Sequence, residues 1–302
     1  MAGALLYGAP APGLVEVPKA ALQLSPLIPG SADIAALPDA AAGSALILAP
    51  PGTLERDFVL AHALRALKPG APLSVFAPKD KGGSRLRKAL EGFGCEVGET
   101  ARRHHRFCST VRPAALRGLD DAIAAGAPRI VPALGLWSQP GVFSWDRTDP
   151  GSLRLLDLLP ELAGRGADLG CGVGLLAQAV LGSPKVAGLT CLDIDRRAVE
   201  CARHNLDDPR ASVVWEDARR PVEGLADLDF VVMNPPFHDG GAEDRALGVA
   251  FVEAAARMLA KRGVCWIVAN RHLPYEAALA SAFATVAVRG EGGGYKVFEA
   301  RK

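Results

Sequence analysis

Residues 230–237 read Phe-Val-Val-Met-Asn-Pro-Pro-Phe. The apolar run predicts a buried strand, and the prolines end it, because proline cannot continue a central strand. The plain reading of Pro235 and Pro236 is a strand terminator. The chemical reading is a rigid platform for a planar substrate. The Asn234 side-chain oxygen and the Pro235 carbonyl are two acceptors that the fixed φ of the prolines holds in one geometry. Two acceptors gripping both hydrogens of an exocyclic ring amine would aim its lone pair outward, while Phe237 stacks on the ring. Such an amine is a poor nucleophile, so positioning against an activated electrophile has to dominate. His238, next in line, either takes up a proton or only packs.

The second constellation is Ala167-Asp-Leu-Gly-Cys-Gly-Val-Gly174. Gly170, Gly172 and Gly174, with Cys171 between them, suit a strand-to-helix turn where the backbone passes close to a ligand. The spacing is G-x-G-x-G, which departs from the G-x-G-x-x-G of dinucleotide sites. Asp168, two residues before the first glycine, would repel a diphosphate but attract an ammonium group. That favours S-adenosylmethionine over NAD as the cofactor. Asp193, with Ile194 after it, ends the next strand, where an acid can accept from both ribose hydroxyls. Asp217, followed by Ala218, comes after a third short strand and suits the adenine amino group; a solvated turn is its plain alternative.

These residues need a scaffold, and the pattern from about residue 151 supplies one. Strands alternate with helical runs: Gly166–Asp168 before the glycine turn, Leu175–Leu181 as a helix, and Ala187–Leu192 as a strand. Asp195 is placed to cap a helix that carries Val199, Ala202 and Leu206 on one face. This order predicts a parallel α/β sheet. Ser152 reads as the cap of a helix holding Leu153, Leu155, Leu156 and Leu159. Residues 136–152, rich in Gly, Pro and aromatics, read as a connection.

The first half echoes the second. Ala45–Ala49 runs into Pro50-Pro51, then come Leu60, Leu64 and Leu67 at helical spacing, Lys68-Pro-Gly, and the strand Leu73–Ala77. The same order follows Phe230–Pro236. It is either a duplication or the generic recurrence of such units in α/β folds. If a duplication, the first copy has Ala49 in place of Asn234 and no glycine-rich turn ahead of it. It would then be a degenerate domain over residues 1–135, kept for binding, before a catalytic domain over 136–302.

The chain has 302 residues, 49% hydrophobic and 22% charged, with a net charge of +1. It is no polycation, so any nucleic-acid contact must come from local clusters. One cluster stands out. Nine Lys or Arg face four acids between Lys79 and Arg112, with His104, His105 and Phe107 interleaved. Arg85, Arg87, Lys88, Arg102, Arg103 and Arg106 are the candidate RNA-binding residues; a solvated face is the plain alternative. Lys296 has the same two readings. The six scattered cysteines show no zinc spacing, so reduced thiols, a cytoplasmic setting and no metal are expected. No membrane helix is expected either.

The motifs ADLGCGVG, LDID, WEDA and NPPF together resemble the class I S-adenosylmethionine-dependent methyltransferases. NPPFH, GVFSWDRTDPGS upstream and the terminal GYKVFEARK narrow this. They resemble the ribosomal RNA guanine-N2 methyltransferase family (RsmC/RlmG type). The resemblance covers residues 136–302 well and the first half in outline. It implies tandem Rossmann-like domains, the C-terminal one catalytic with a mostly parallel seven-stranded sheet. It also implies S-adenosylmethionine as cofactor, Phe143 and Ser144 as walls of its pocket, and ribosomal RNA or the small subunit as partner. Related motifs serve adenine-N6 and protein glutamine methyltransferases. A non-catalytic assembly factor is a remoter alternative.

Overall fold

The computed structural model describes residues 3–236, 238–239, 242–243, 245–272 and 275–302. The chain divides into two compact units. One runs to Pro128 and includes Gln139–Gly141; the other holds Arg129–Ser138 and Val142–Lys302.

The second unit is built on a seven-stranded sheet. Its spatial order is Ala211–Trp215, Val186–Asp193, Gly164–Leu169, Leu228–Met233, Leu259–Asn270, Tyr295–Arg301 and Thr285–Gly292. The first five strands are parallel and the last two pairings are antiparallel. Strands buried on both faces read as continuous apolar runs, and Phe230–Met233 shows why. Val231 and Met233 pack with Val252, Ala255 and Ile267, while Phe230 and Val232 pack on the other face with Val180, Leu155 and Trp266. Gly166 sits opposite Phe230 in register. A Cβ there would lie 2.1 Å from the Phe230 ring, so only glycine admits the aromatic. Truncating Phe230 to Ala would cost about 3–5 kcal/mol.

The chain leaves Gly164–Leu169 in one direction along the sheet and returns to Leu228–Met233 on its other side. Strand order therefore reverses between these two neighbours, and ligands in open α/β sheets bind outside the carboxyl ends at such a point. Gly170 and Asn234 are the first residues beyond those two ends. One fold therefore brings both sequence constellations to the same edge of the sheet, at the ends of two neighbouring strands.

The first unit has a six-stranded sheet in the order Leu22–Gln23, Ala4–Tyr7, Ser44–Leu48, Pro72–Pro78, His105–Val111 and Gly98–Arg102. Ser44–Leu48, helix Thr53–Ala66, Pro72–Pro78, helix Leu86–Gly92 and the closing antiparallel pair follow one topology. Leu228–Met233, helix Arg245–Met258, Leu259–Asn270, helix Tyr275–Ala282 and their closing pair repeat it. The fold is thus a tandem of Rossmann-like units. Leu60 and Leu64 are fully buried on helix Thr53–Ala66, with Leu67 as its buried C-cap. No acid or G-x-G-x-G follows the first strand; Tyr7 is followed by Gly-Ala-Pro.

Two expectations need correction. Helix Pro150–Leu156 is capped by Asp149, whose side chain accepts from the Ser152 amide, and not by Ser152. Asp149 is followed by proline at N1, a position where the missing N–H costs nothing. The segment read as a bare connection also contains a strand. Leu136–Ser138 pairs with Arg129–Val131 as a short hairpin. Asn205 clamps it by accepting from Trp137 N–H at 2.8 Å and donating to Trp137 O at 2.9 Å.

Candidate active site

The glycine turn is built by its backbone. Gly170, Gly172 and Gly174 have φ of +74°, +54° and +90°, torsions that side chains disfavour. The Gly170 and Cys171 amides both donate to Leu192 O, at 2.8 and 2.9 Å, tying the turn to the adjacent strand. Asn205 reaches the same turn by donating to Val173 O at 2.9 Å. A Cβ on Gly172 would meet nothing within 4 Å, so the turn faces open space on that side.

Three acids surround the turn in three different states. Asp168 is fully buried, and neither carboxylate oxygen has a hydrogen-bond partner among the described residues. Burial first, and the charge of Asp193 second, push its pKa up to about 8; the Ala177 amide opposes this without meeting hydrogen-bond geometry. Asp193 is part-exposed. Its Oδ2 accepts from Gly172 N–H at 2.9 Å and its Oδ1 from Asp195 N–H at 2.8 Å. Burial raises it to about 6 against these backbone bonds. Acceptor capacity remains on it for a hydroxyl. Asp217 is bound by Arg219, whose Nε and Nη2 reach its two oxygens at 2.7 and 2.8 Å. Burial raises Asp217, but the bonds from Arg219 outweigh it and hold the pKa below the usual value. Arg219 N–H also donates to Oδ1, and Arg220 Nε lies 3.6 Å from Oδ2, which accepts one hydrogen bond to the two on Oδ1.

Around them, Ala218 is buried and the Ile194 carbonyl accepts from Trp215 Nε1 at 2.8 Å. The Cys171 thiol is buried, and its bond with Cys191 together with burial pushes it well above its ordinary pKa. Asp195 caps helix Arg196–Asn205 as its sequence position predicts. Phe143 is 63% exposed, and Ser144 has φ of +49° in the turn before Asp149.

At the end of the neighbouring strand, Asn234 Nδ2 donates to Asp149 Oδ2 at 2.7 Å and to Ser152 Oγ at 2.9 Å. Its Oδ1 is buried and has no partner among the described residues. Leaving a buried acceptor unpaired costs about 1–3 kcal/mol. Pro235 is buried and Pro236 exposed. Phe237 lies outside the described residues, as do the side chains of His238 and Asp239. Asp149 and Ser152 were not among the sequence candidates. The Asp-Pro pair at a helix start was the available signal for Asp149.

In the first unit, the basic residues cluster at the carboxyl end of strand Pro72–Pro78, the edge that carries Gly170 and Asn234 in the other sheet. Pro78 pairs with His105, Lys79 N–H donates to His104 O at 2.9 Å, and Arg85 Nη1 donates to Thr53 Oγ1 at 3.5 Å. Several charges are already committed. Arg87 bonds Glu91 at 2.8 Å and Arg106 lies 3.5 Å from Glu99. Arg103 donates to Gly13 O at 2.8 Å and Arg102 to Leu14 O at 3.1 Å. The Arg102 guanidinium also sits 4.4 Å above the Phe107 ring. Arg85 and Lys88 are exposed. Lys296 is held by Glu276 at 2.7 Å. Among the described residues no helix is long and apolar enough to cross a membrane, and no metal-binding cluster is found.

The orphaned Asp168 oxygens, the open face of Gly172 and the oriented Asp193 carboxylate fit a ligand with a positive charge and a ribose. Known proteins match this architecture. Ribosomal RNA small subunit methyltransferase C of Shewanella loihica is 38% identical over 164 residues, 54% of this chain and 47% of that protein. Its counterpart from Shewanella amazonensis is 38% identical over 164 residues, 54% of this chain and 48% of that protein. The chain thus spans about half the length of the curated relatives it matches. The N2-specific 16S rRNA methyltransferase RsmC of T. thermophilus, solved with AdoMet and guanosine, superposes with a TM-score of 0.75. It is 27% identical, and the match covers 90% of this chain and 76% of that one. A family model described as methyltransferase small domain matches residues 133–299, and the chain belongs to that family.

Proposed function

We propose that the protein transfers a methyl group from S-adenosylmethionine to the exocyclic N2 amine of a guanine in ribosomal RNA of the small subunit. The observation that carries this reading is the buried, unpartnered Asn234 Oδ1 beside the glycine turn. When bound, S-adenosylmethionine supplies an electrophilic methyl on a positively charged sulfur. Asp168 lies beneath the turn and supplies negative potential to a cationic ligand; Asp193 accepts from the ribose and Asp217 Oδ2 from the adenine amine. Asn234 Oδ1 and the Pro235 carbonyl accept hydrogen bonds from the two N–H groups of the guanine amine and turn its lone pair toward the methyl. As the N–C bond forms and the C–S bond breaks, the amine releases one proton to solvent. Phe237 stacks on the base, which must leave any helix to reach this slot. Phe143 and Ser144 wall the pocket.

The RNA backbone is met by the basic edge of the first unit, with Arg85 and Lys88 the exposed charges there. The relatives support the substrate: those named above are small-subunit methyltransferases, and one was solved with guanosine. The test is methylation of small ribosomal subunits, taken from a strain lacking this gene, with tritiated S-adenosylmethionine. Label in N2-methylguanosine is expected. Label in N6-methyladenosine, or none, overturns the reading.

A further inference from the structure

We propose that Asp149 is a positioning residue that selects one of the two flip states of the Asn234 amide, leaving its oxygen as the acceptor that faces substrate. This rests on the function proposed above and deepens it. An asparagine amide is nearly symmetric in shape, and a half-turn exchanges its donor for its acceptor. A site that must accept from an amine needs the oxygen outward, and a free amide would spend part of its time reversed. Asn234 follows two β-branched residues and a methionine on the strand, and none of these side chains can tell oxygen from nitrogen.

Asp149 can tell them apart. A carboxylate accepts hydrogen bonds and donates none. Its Oδ2 lies 2.7 Å from Asn234 Nδ2. With the amide reversed, two oxygens would face each other at that distance, a repulsion in place of a charge-assisted bond. Ser152 Oγ, 2.9 Å from the same nitrogen, holds the amide without choosing, because a hydroxyl serves as donor or acceptor.

The carboxylate is itself fixed. The same Oδ2 accepts from Ser152 N–H at 2.7 Å as the helix cap, and Pro150 follows at the first helical position. A Cβ on Gly151 would lie 3.0 Å from Asp149 Oδ2 and 2.8 Å from the Tyr295 ring, so the glycine lets helix, carboxylate and aromatic close together. The outcome is visible at the far end of the amide, where Oδ1 is buried and unpartnered. A helix cap and a strand end 85 residues apart are thus joined into one acceptor.

The role predicts an ordering of variants that simple support of the fold does not. Asp149→Asn keeps a capping acceptor but can flip together with Asn234, so selection is lost while geometry stays. Asp149→Ala removes both. Ser152→Ala removes only the indifferent contact. Single-turnover methylation of small ribosomal subunits at saturating cofactor should fall roughly 100-fold in Asp149→Ala and roughly 10-fold in Asp149→Asn. It should fall no more than about 3-fold in Ser152→Ala. Cofactor affinity by calorimetry should stay within a few-fold in all three.

A second readout needs no acceptor. The Asn234 side-chain amide protons, followed by NMR, should exchange slowly in the wild type and in Ser152→Ala but fast in Asp149→Ala. Wild-type rates in both Asp149 variants, or losses of rate matched by losses of cofactor affinity, would overturn the proposal. If wild-type protein puts no label into guanine, the proposed substrate fails instead, and the amide exchange still decides whether Asp149 holds Asn234.

Discussion

Asn234 and Asp149 are joined by a 2.7 Å hydrogen bond that leaves the asparagine oxygen buried and without a partner among the described residues. One residue ends a core strand and the other starts a helix. Their bond converts a strand terminator into an oriented acceptor.

Asn234→Ala should therefore abolish methyl transfer and leave S-adenosylmethionine affinity within a few-fold, because the cofactor contacts proposed above lie on the glycine turn and on Asp193 and Asp217. Single-turnover labelling and calorimetry measure the two quantities separately. Unchanged turnover would remove Asn234 from the mechanism.

Cofactor affinity should depend on pH through Asp168. Its pKa is raised to about 8 by burial and by Asp193. The free protein should therefore carry a proton there at neutral pH, and a bound cationic ligand should expel it. Binding releases a proton below pH 8, so affinity rises as pH increases toward 8 and then levels. Calorimetry in buffers of different ionisation enthalpy should detect the released proton. Asp168→Asn should flatten the profile and weaken binding throughout.

The first unit should lose stability in mild acid because of His62. The ring is 4% exposed, neither nitrogen has a partner among the described residues, and Phe58 packs edge-on at 4.3 Å. Burial first, then the Arg65 charge, lower its pKa from 6.5 to about 4, with Asp33 opposing. The sign follows. Between these values the unfolded chain binds a proton that the folded unit refuses, so stability falls as pH drops from 6.5 toward 4. The loss is at most roughly 3 kcal/mol. His62→Leu should remove most of the acid sensitivity in urea unfolding followed at several pH values. An unchanged acid slope would place the sensitivity elsewhere.

RNA affinity should depend on Arg85 and Lys88 more than on Arg87 and Arg106, whose charges are matched by Glu91 and Glu99. Reversing Arg85 and Lys88 together should lower the slope of log affinity against log salt by roughly 1.5–2, one counterion per phosphate lost. Reversing Arg87 and Arg106 should change it less. Equal slopes for the two double variants would remove this edge from RNA binding.

Much of the fold was legible because it is written in short, contiguous patterns. Phe230–Met233 is a short apolar run, β-branched at its centre and stopped by Pro235, which reads as a strand buried on both faces. The three glycines at 170, 172 and 174 carry positive φ that their residue type announces. Asp195 caps the helix directly after it. Even the tandem architecture showed in the matching order of Ala45–Ala77 and Phe230–Ala269.

The state of the charged groups was not legible. Glu91 lies one helical turn from Arg87, but Arg102 reaches Leu14 O across 88 positions and Arg65 reaches Ala35 O across 30. Asp217 looked open in sequence and is held by Arg219, two residues away, in a bidentate grip. Ser152 looked like a cap and instead lends its hydroxyl to Asn234, because Asp149 does the capping.

By itself, then, the amino-acid order determined what depends on a residue and its near neighbours: strand and helix, the left-handed turn, the proline stop, and the kinds of group offered to a ligand. The tertiary structure alone decided which of those groups are left unsatisfied. Whether a buried oxygen has a partner depends on what distant chain folds against it, and at Asn234 the described chain brings a carboxylate to the nitrogen and no donor to the oxygen.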